Sequence, residues 1–242
     1  MYSLAQFANI SPSSLPIHVK QTILQLCKQL GTDIPFTMIQ EPTGIKDSLR
    51  ELNKITNENK EEKTVILCSI LQNHESELEA FLPILFKELC KQPFFSTLYA
   101  DLFYQFQSKW PIFHTIFHTF FMIHKESFAT IQTCSPDDYD EYCSLKKIND
   151  ERRAFTLFLV NCIKNKSIDL LYYDDLMNTL VQCITNHLDL VQHDIMNEYI
   201  EHLFLLIQIK EHSIVNTLLH SDISMKMKFR CTDIINLHKS YQ

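Results

Sequence analysis

Two histidines one helical turn apart are the residues most able to do chemistry in this sequence. His114 and His118 stand at i and i+4 in the segment HTIFH, a spacing that places both imidazoles on one helix face and can bind zinc. The glutamate that would serve as general base after the first histidine is absent, because Thr115 stands there. We therefore expect partly buried, hydrogen-bonded histidines without a metal, and keep a metal-dependent helical hydrolase as an alternative.

The remaining nucleophiles and carboxylates do not form a catalytic pattern. Eight cysteines are scattered without CxxC pairs, and Cys68 and Cys90 occupy apolar stripes, as small hydrophobic residues do. The acidic residues within 137–141 are typical of a helix start rather than of a catalytic carboxylate pair. The sequence thus predicts a protein that is not an enzyme and needs no cofactor.

Glycine is nearly absent from the chain. Only two of the 242 residues are glycine, Gly31 and Gly44, and none follows Gly44. Phosphate-cradling loops, dinucleotide fingerprints and the nucleophile elbow all need glycine where the backbone bends sharply, so this scarcity argues against parallel α/β enzymes. The net charge of −7 argues against a protein whose main role is to neutralise phosphates.

No segment predicts secretion or membrane insertion. The first residues carry no charged region followed by an apolar run, and the long apolar stretch PIFHTIFHTFFMIH is interrupted by histidine and threonine. Together with the unpaired cysteines, these features favour a reduced, cytoplasmic setting.

Apolar residues recur at helical spacing through most of the sequence. Beyond one helix at 18–30, the pattern predicts helices near 45–55, 60–73, 77–91, 94–107, 111–130, 137–165, 173–187, 193–208, 210–219 and 223–239. Two starts carry signals: a capping box beginning at Ser76, and Ser135 as a cap followed by Pro136 in the first turn.

These helices predict an all-α fold, an α-solenoid of about five HEAT-like helical hairpins, with a compact bundle as the alternative. Both glycines and four of the eight prolines lie in residues 1–44. We therefore divide the chain into an N-terminal segment, 1–44, and a helical domain, 45–242.

Three blocks of the helical domain resemble the middle domain of translation initiation factor 4G. Residues 52–56 read LNKIT, residues 85–88 read LFKE and are followed by QPFFSTLYA at 92–100, and residues 226–238 read KMKFRCTDIINLH. They are similar, in order, to the family's LNKLT, its IFEKA followed by EPxFSxxYAxL, and its RIRFMLQDVLDLR. The chain departs from the family at Asn57, where a proline is usual, and at Lys60, where an aromatic residue is usual.

The resemblance implies a scaffold for a DEAD-box helicase of the initiation factor 4A type. Members hold both lobes of that helicase on a solenoid of helical hairpins. By analogy, one lobe would contact Leu52, Asn53, Lys54 and Ile55. The other lobe would contact Lys226, Lys228 and Asp233.

Core packing is the competing interpretation for the apolar members of these blocks. Their spacing is that of buried positions, and they comprise Leu52, Ile55, Phe86, Phe95, Tyr99, Phe229, Ile234 and Leu237. Apolar packing does not require Asn53 or Lys54, so these two residues are the strongest candidates of the block for contact with the helicase.

Two further partners follow from weaker patterns. Tyr2, Phe7 and Ala8 are similar to the docking motif for the cap-binding initiation factor 4E type, a tyrosine followed five and six residues later by apolar residues. The basic residues Arg152, Arg153, Lys164 and Lys166 are candidates for weak mRNA contact, with solvated helix faces as the alternative.

The resemblance therefore implies a translation initiation scaffold, in a compact version that we expect to be viral. Within the same fold family, a subunit acting in mRNA processing, decay or nuclear cap binding is the alternative.

Overall fold

The computed structural model describes residues 43–188 and 193–240, and no strand occurs in this part of the chain. Ten α-helices account for most of it. They are α1 (Thr43–Leu52), α2 (Lys60–Asn73), α3 (Leu78–Lys91), α4 (Ser96–Lys109), α5 (Ile112–Ser127), α6 (Tyr139–Lys164), α7 (Leu171–His187), α8 (His193–Leu206), α9 (Ile214–His220) and α10 (Met225–Ser240). The predicted helix at 18–30 lies outside the described residues.

The helices stack as two layers of antiparallel hairpins. Within hairpins, α1 packs on α2, α3 on α4, α7 on α8, and α9 on α10. Between hairpins, the even-numbered helices contact one another in chain order, and α1, α3 and α5 do the same in the other layer. This is the predicted all-α, HEAT-like repeat architecture.

The α5–α6 hairpin is an exception to the regular pattern. Residues 128–138 separate its two helices, and α6 packs mainly on α3, α4 and α8 rather than on α5. The longest helix of the described chain, α6, therefore ties the two halves of the solenoid together.

Phenylalanine rings fill the centre of the first half. Phe86 of α3 is fully buried, and five other rings have centroids within 6.4 Å of its own. They belong to Phe103, Phe117, Phe120, Phe155 and Phe158. Mostly edge-to-face packing of this kind adds to the free energy gained by burying apolar area.

Gly44 permits close packing of α1 against the end of α2. A Cβ atom at this position would lie 2.7 Å from Cγ and Cδ2 of His74, so the His74 side chain would have to shift to admit one. One of the two glycines of the chain therefore stands where the first hairpin has no room for a side chain unless His74 moves.

Both predicted cap signals are misplaced. Residues 75–77 form a short 3₁₀ helix, and Glu77, which precedes α3, makes no side-chain cap hydrogen bond. Ser135 and Pro136 belong to a turn in which Asp138 N–H donates to the Ser135 carbonyl at 3.1 Å. Asp138 then caps α6, because its Oδ1 accepts from Glu141 N–H at 3.4 Å. The first predicted cap is therefore not formed, and the second moves from Ser135 to Asp138, three residues later.

Cysteines behave largely as small hydrophobic residues, as predicted. Four of the seven described are buried: Cys68, Cys90, Cys162 and Cys231. Burial raises the pKa of the Cys90 and Cys162 thiols well above the usual value, and that of Cys231 to about 11. These thiols therefore stay protonated at neutral pH.

One face of the apolar helix α5 is buried in the stack, with Phe113, Phe117 and Phe121 in the core. No helix within residues 43–188 and 193–240 combines the length and apolar character needed to cross a bilayer.

Candidate protein-interaction surfaces

The LNKIT block forms the end of α1 and the turn that follows. Leu52 and Ile55 are each only 2% exposed, whereas Asn53 and Lys54 are exposed. Buried side chains cannot touch a partner on the folded surface, so the predicted helicase contact of this block narrows to Asn53 and Lys54. Leu52 and Ile55 instead fix the turn to the core.

Asn59 holds the turn in one conformation. Its Oδ1 accepts from Thr56 N–H at 2.8 Å, and its Nδ2 donates to the Lys54 carbonyl at 3.0 Å. The Ile55 N–H donates to the Leu52 carbonyl at 3.2 Å. The exposed pair is thus presented from a backbone fixed by hydrogen bonds, which lowers the entropy lost when a partner binds.

Glu51 organises the charges beneath the turn. Its carboxylate accepts from Lys54 Nζ and from Lys63 Nζ, each at 2.8 Å, and Arg50 lies 3.6 Å away. The hydrogen bonds from Lys54 and Lys63 lower the pKa of Glu51 to about 2. One carboxylate therefore orients three cations, and Lys54 remains about half exposed despite its ion pair.

The KMKFRCTDIINLH block forms most of α10. Met227, Cys231 and Ile234 are buried, and they follow the helical spacing that faces the core. Arg230 attaches the helix to α8, because its guanidinium donates to both carboxylate oxygens of Glu201, at 3.0 and 2.7 Å. The helix is thereby held in one register.

The opposite face of α10 is exposed and mixed in chemistry. Met225 is 64% and Phe229 65% exposed, and both lie on one side of the helix with exposed Lys226 and Asp233. We call these four residues the α10 surface. The prediction that Phe229 belongs to the core is wrong, since at 100° per residue it points about 200° away from Met227. Lys228 is half-buried.

The other expected core residues divide into two groups. Phe86, Tyr99 and Ile234 are buried as predicted, together with Leu52 and Ile55. Phe95 and Leu237 are half-buried.

Arg152 does not reach the surface. It is 8% exposed, its Nε donates to Ser127 Oγ at 3.0 Å, and its Nη1 donates to Asn149 Oδ1. A phosphate cannot approach a guanidinium held in this way, so the expected mRNA contact is corrected for Arg152. Arg153 donates to the carboxylates of Glu198 and Asp150, which neutralise it.

Lys164 is the last residue of α6, roughly 18 Å along the helix from Arg152, and Lys166 follows two residues later. Lys164 Nζ donates to Gln208 Oε1 at 2.8 Å. Lys166 has a φ of 64°, the left-handed conformation that commonly ends a helix, and Ser167 N–H closes the turn on the Cys162 carbonyl at 2.8 Å. The four predicted RNA-binding residues thus do not converge on one surface.

Arg153 and Lys226, 73 residues apart in the sequence, come together in the fold. Both line a groove of about 270 Å³ between α6, α8 and α10, along with Lys146, Asp194 and Glu198. Three cations and two carboxylates give this groove no strong excess of either sign.

His114 and His118 are exposed, which corrects the expectation of partial burial. His118 Nδ1 lies 3.3 Å from the Tyr172 hydroxyl, and both imidazoles face that ring edge-on. Within the described part of the chain, no three histidine, cysteine, aspartate or glutamate side chains are grouped to hold a metal ion. The i, i+4 pair therefore lacks a third protein ligand there.

Tyr2, Phe7 and Ala8, the residues of the docking motif, lie outside the described residues, and cap-binding-factor docking stays a prediction.

The role of Glu51 and the exposure of Phe229 were not predicted from the sequence. The ion pair of Glu51 could have been, since an acid three residues before Lys54 on a helix favours one. The exposure of Phe229 could have been predicted too: placing Met227, Cys231 and Ile234 on the buried stripe leaves it on the opposite face.

Comparison of the chain with family models, curated proteins and solved structures gives no match. The arrangement of the residues and their resemblance to a known domain are thus the grounds for a functional proposal.

Proposed function

We propose that this chain is a non-catalytic scaffold that binds a DEAD-box RNA helicase of the initiation factor 4A type during translation initiation in the cytoplasm. One observation carries the proposal. The first and last blocks of the resemblance both expose polar residues beside buried apolar ones, Asn53 with Lys54 and Lys226 with Asp233, and the last block also exposes Phe229.

The two surfaces lie on the first and the last hairpin of the part of the chain that the structure describes. The two lobes of the helicase would therefore contact different surfaces, one lobe the α1–α2 turn and the other the α10 surface. A scaffold that binds one arrangement of the lobes more tightly than another shifts the helicase toward that arrangement, by no more than the difference in affinity. Coupling of this kind needs no catalytic group on the scaffold.

The charges at the start of α10 support a binding role. Lys226 and Lys228 occupy the first turn of the helix, which contains no acidic residue. Cations are disfavoured at the positive end of a helix dipole, by about 0.3–1 kcal/mol at exposed sites. A residue type that costs stability where it stands is more easily explained by a partner than by folding.

Binding of the purified helicase, measured by calorimetry, tests the proposal. We expect Asn53→Ala with Lys54→Ala to weaken binding at least about tenfold, and Lys226→Ala with Phe229→Ala to do the same. Stimulation of the helicase ATPase should fall in both variants. Because all four side chains are largely exposed, the variants should keep the circular dichroism and melting temperature of the parent.

The matched control is Gln105→Ala with Lys109→Ala, an exposed pair on α4. Its binding should equal that of the parent. Unchanged helicase affinity in both folded surface variants would refute the proposal.

The same-family alternative, a subunit for mRNA processing, decay or nuclear cap binding, differs in the helicase that co-purifies. The hydrolase alternative predicts intrinsic hydrolysis that a chelator abolishes.

The cap-binding factor and mRNA remain secondary proposed partners. Loss of cap-binding-factor binding on Tyr2→Ala tests the first, and filter binding of an oligouridylate across salt concentrations tests the second.

A further inference from the structure

The irregular α5–α6 hairpin leaves an apolar groove. It has a volume of about 220 Å³ and lies between α3, the second half of α5 and the middle of α6. Cys90, Phe120 and Phe155 line its floor. A cavity of roughly 150 Å³ is enough to take up benzene, so this groove has room for one large apolar side chain.

Two isoleucines on facing helices form the lips of the groove. Ile123 of α5 is 60% exposed and Ile148 of α6 is 51% exposed, and both line the same depression. A single exposed aliphatic residue is ordinary, whereas exposed aliphatic side chains on two sides of an apolar groove form a continuous patch. Patches of this kind mark sites where a partner excludes water.

The edge of the groove formed by α3 is positively charged. Lys87 and Lys91 stand at i and i+4, and both line the groove. Lys91 Nζ contacts Glu88 at 3.0 Å, while Lys87 is exposed and has no ion-pair partner in the described part of the chain. On the opposite side the lining includes one carboxylate, Glu151.

We propose that this groove docks a short peptide segment of a partner protein. One large apolar side chain of the segment fills the groove, and an acidic residue within about one helical turn of it meets Lys87, beside the ion pair of Lys91 with Glu88. The occupant follows from the two properties of the groove, an apolar floor with aliphatic lips and a cationic edge on a chain whose net charge is −7. The site is separate from the helicase surfaces on the α1–α2 turn and α10.

A nucleic acid fits the groove less well than a peptide. Single-stranded RNA is bound by exposed aromatic platforms and a track of cations along the backbone. Here Phe155 is only 6% exposed and the lips are aliphatic. Two lysines on a single helix do not form such a track.

Selection from a random peptide library displayed on phage, with the full chain as bait, tests the proposal. Enriched peptides should share one large apolar residue flanked by acids. Synthetic versions should lose at least about tenfold in affinity for Ile123→Asp and for Lys87→Glu. Both positions are exposed, so we expect both variants to melt at the temperature of the parent.

Matched controls are Val65→Asp, an exposed β-branched residue on α2, and Lys109→Glu, an exposed lysine on α4. These should bind the peptides like the parent, and the groove variants should still bind the helicase. If the parent failed to bind the helicase, the proposed function would be contradicted, but the peptide-docking proposal would not be affected.

Three outcomes would overturn the docking proposal. The first is a selection that enriches no acidic, apolar peptide. The second is enriched peptides whose affinity is the same for the groove variants and the parent. The third is an oligouridylate that displaces the peptides and loses affinity on Ile123→Asp, because RNA would then be the occupant.

Discussion

Two parts of the interior that share α5 and α6 are built from opposite chemistry. The phenylalanine cluster, the six rings centred on Phe86, holds α3, α4, α5 and α6 together without a polar atom. The histidine cluster, His124, Thr156 and His202, joins α5, α6 and α8 through side-chain hydrogen bonds in the core. The first gains most of its free energy from burying apolar area, whereas the hydrogen bonds of the second require one relative placement of three helices.

The Thr156 hydroxyl is the centre of the histidine cluster. Its Oγ1 lies 3.0 Å from His124 Nε2 and 2.8 Å from His202 Nδ1. A hydroxyl carries a single proton, so at least one of these ring nitrogens must donate to it. His202 Nε2 is buried without a partner among the described residues.

Burial keeps both rings neutral. It lowers the pKa of His124 to about 3, with a smaller effect of the Arg152 charge. Burial also lowers the pKa of His202 well below its usual value, and the neighbouring His124, Arg152 and Arg153 add to the effect. The comparison teaches that the apolar cluster supplies most of the free energy, whereas the polar cluster fixes register and introduces a dependence on pH.

The largest expected effect comes from breaking the phenylalanine cluster. Phe86→Ala removes the ring that five others contact and should lower the free energy of unfolding by about 4 kcal/mol. Denaturant unfolding followed by circular dichroism measures the change. The control is Phe94→Ala, since Phe94 is 88% exposed and its loss should cost less than about 0.5 kcal/mol. Equal effects of the two substitutions would contradict the central role of Phe86.

A smaller loss is expected when the histidine cluster is broken. Thr156→Val preserves shape but leaves two buried ring nitrogens without their partner, which should cost about 3 kcal/mol. The same unfolding measurement applies. Thr119→Val is the control, because the exposed Thr119 hydroxyl only donates to the Thr115 carbonyl of its own helix. If Thr156→Val were as stable as Thr119→Val, the hydrogen bonds of the cluster would be unimportant.

The pH dependence should separate the two clusters further. Between the unfolded-state pKa of about 6.5 and the folded-state value of about 3, the unfolded chain binds a proton that His124 in the folded chain does not. Stability therefore falls as the pH decreases, by about 2 kcal/mol between pH 7 and pH 5 from His124 alone. Unfolding curves at several pH values measure the slope.

His124→Gln keeps an amide donor near Thr156 and removes the titration, so its slope in this window should be shallower. An unchanged slope would mean that other groups carry the acid sensitivity. Glu51 acts in a lower window, because its folded pKa of about 2 lies below the usual 4.5, and its contribution is lost as the pH falls from 4.5 to 2.

The smallest effect on stability is expected for a phenylalanine that belongs to neither cluster. Phe229→Ala on the α10 surface should change the free energy of unfolding by less than about 0.5 kcal/mol, since the ring is 65% exposed. Its effect should appear in helicase affinity instead, measured by calorimetry. A large loss of stability would place Phe229 in the core after all and remove it from the binding surface.

The helices were largely predictable, and their ends less so. Periodicity indicates α6 at 137–165, and the structure has Tyr139–Lys164, because a long apolar stripe outweighs any single residue. Caps depend on one or two hydrogen bonds of about 1 kcal/mol each, so neighbouring residues compete for the role. Here Asp138 caps α6 in place of the predicted Ser135.

The candidate surfaces were predictable only in part. The exposed positions of Asn53 and Lys54 follow from the stripe that Leu52 and Ile55 occupy. Nothing in the local sequence around Arg152 and Arg153 shows that one is buried and the other paired with Glu198, 45 residues later. Long-range partners are set by how helices stack, which a periodic pattern does not encode.

Sequence alone determines that the part of the chain after Gly44 forms a series of amphipathic helices, because glycine scarcity and the 3.6-residue period are local properties of the residues. Tertiary structure decides which charges are neutralised, that Arg153 and Lys226 line one groove, and that an apolar groove opens beside α5. These properties depend on distances between helices far apart in the chain, and those distances exist only once the helices have packed.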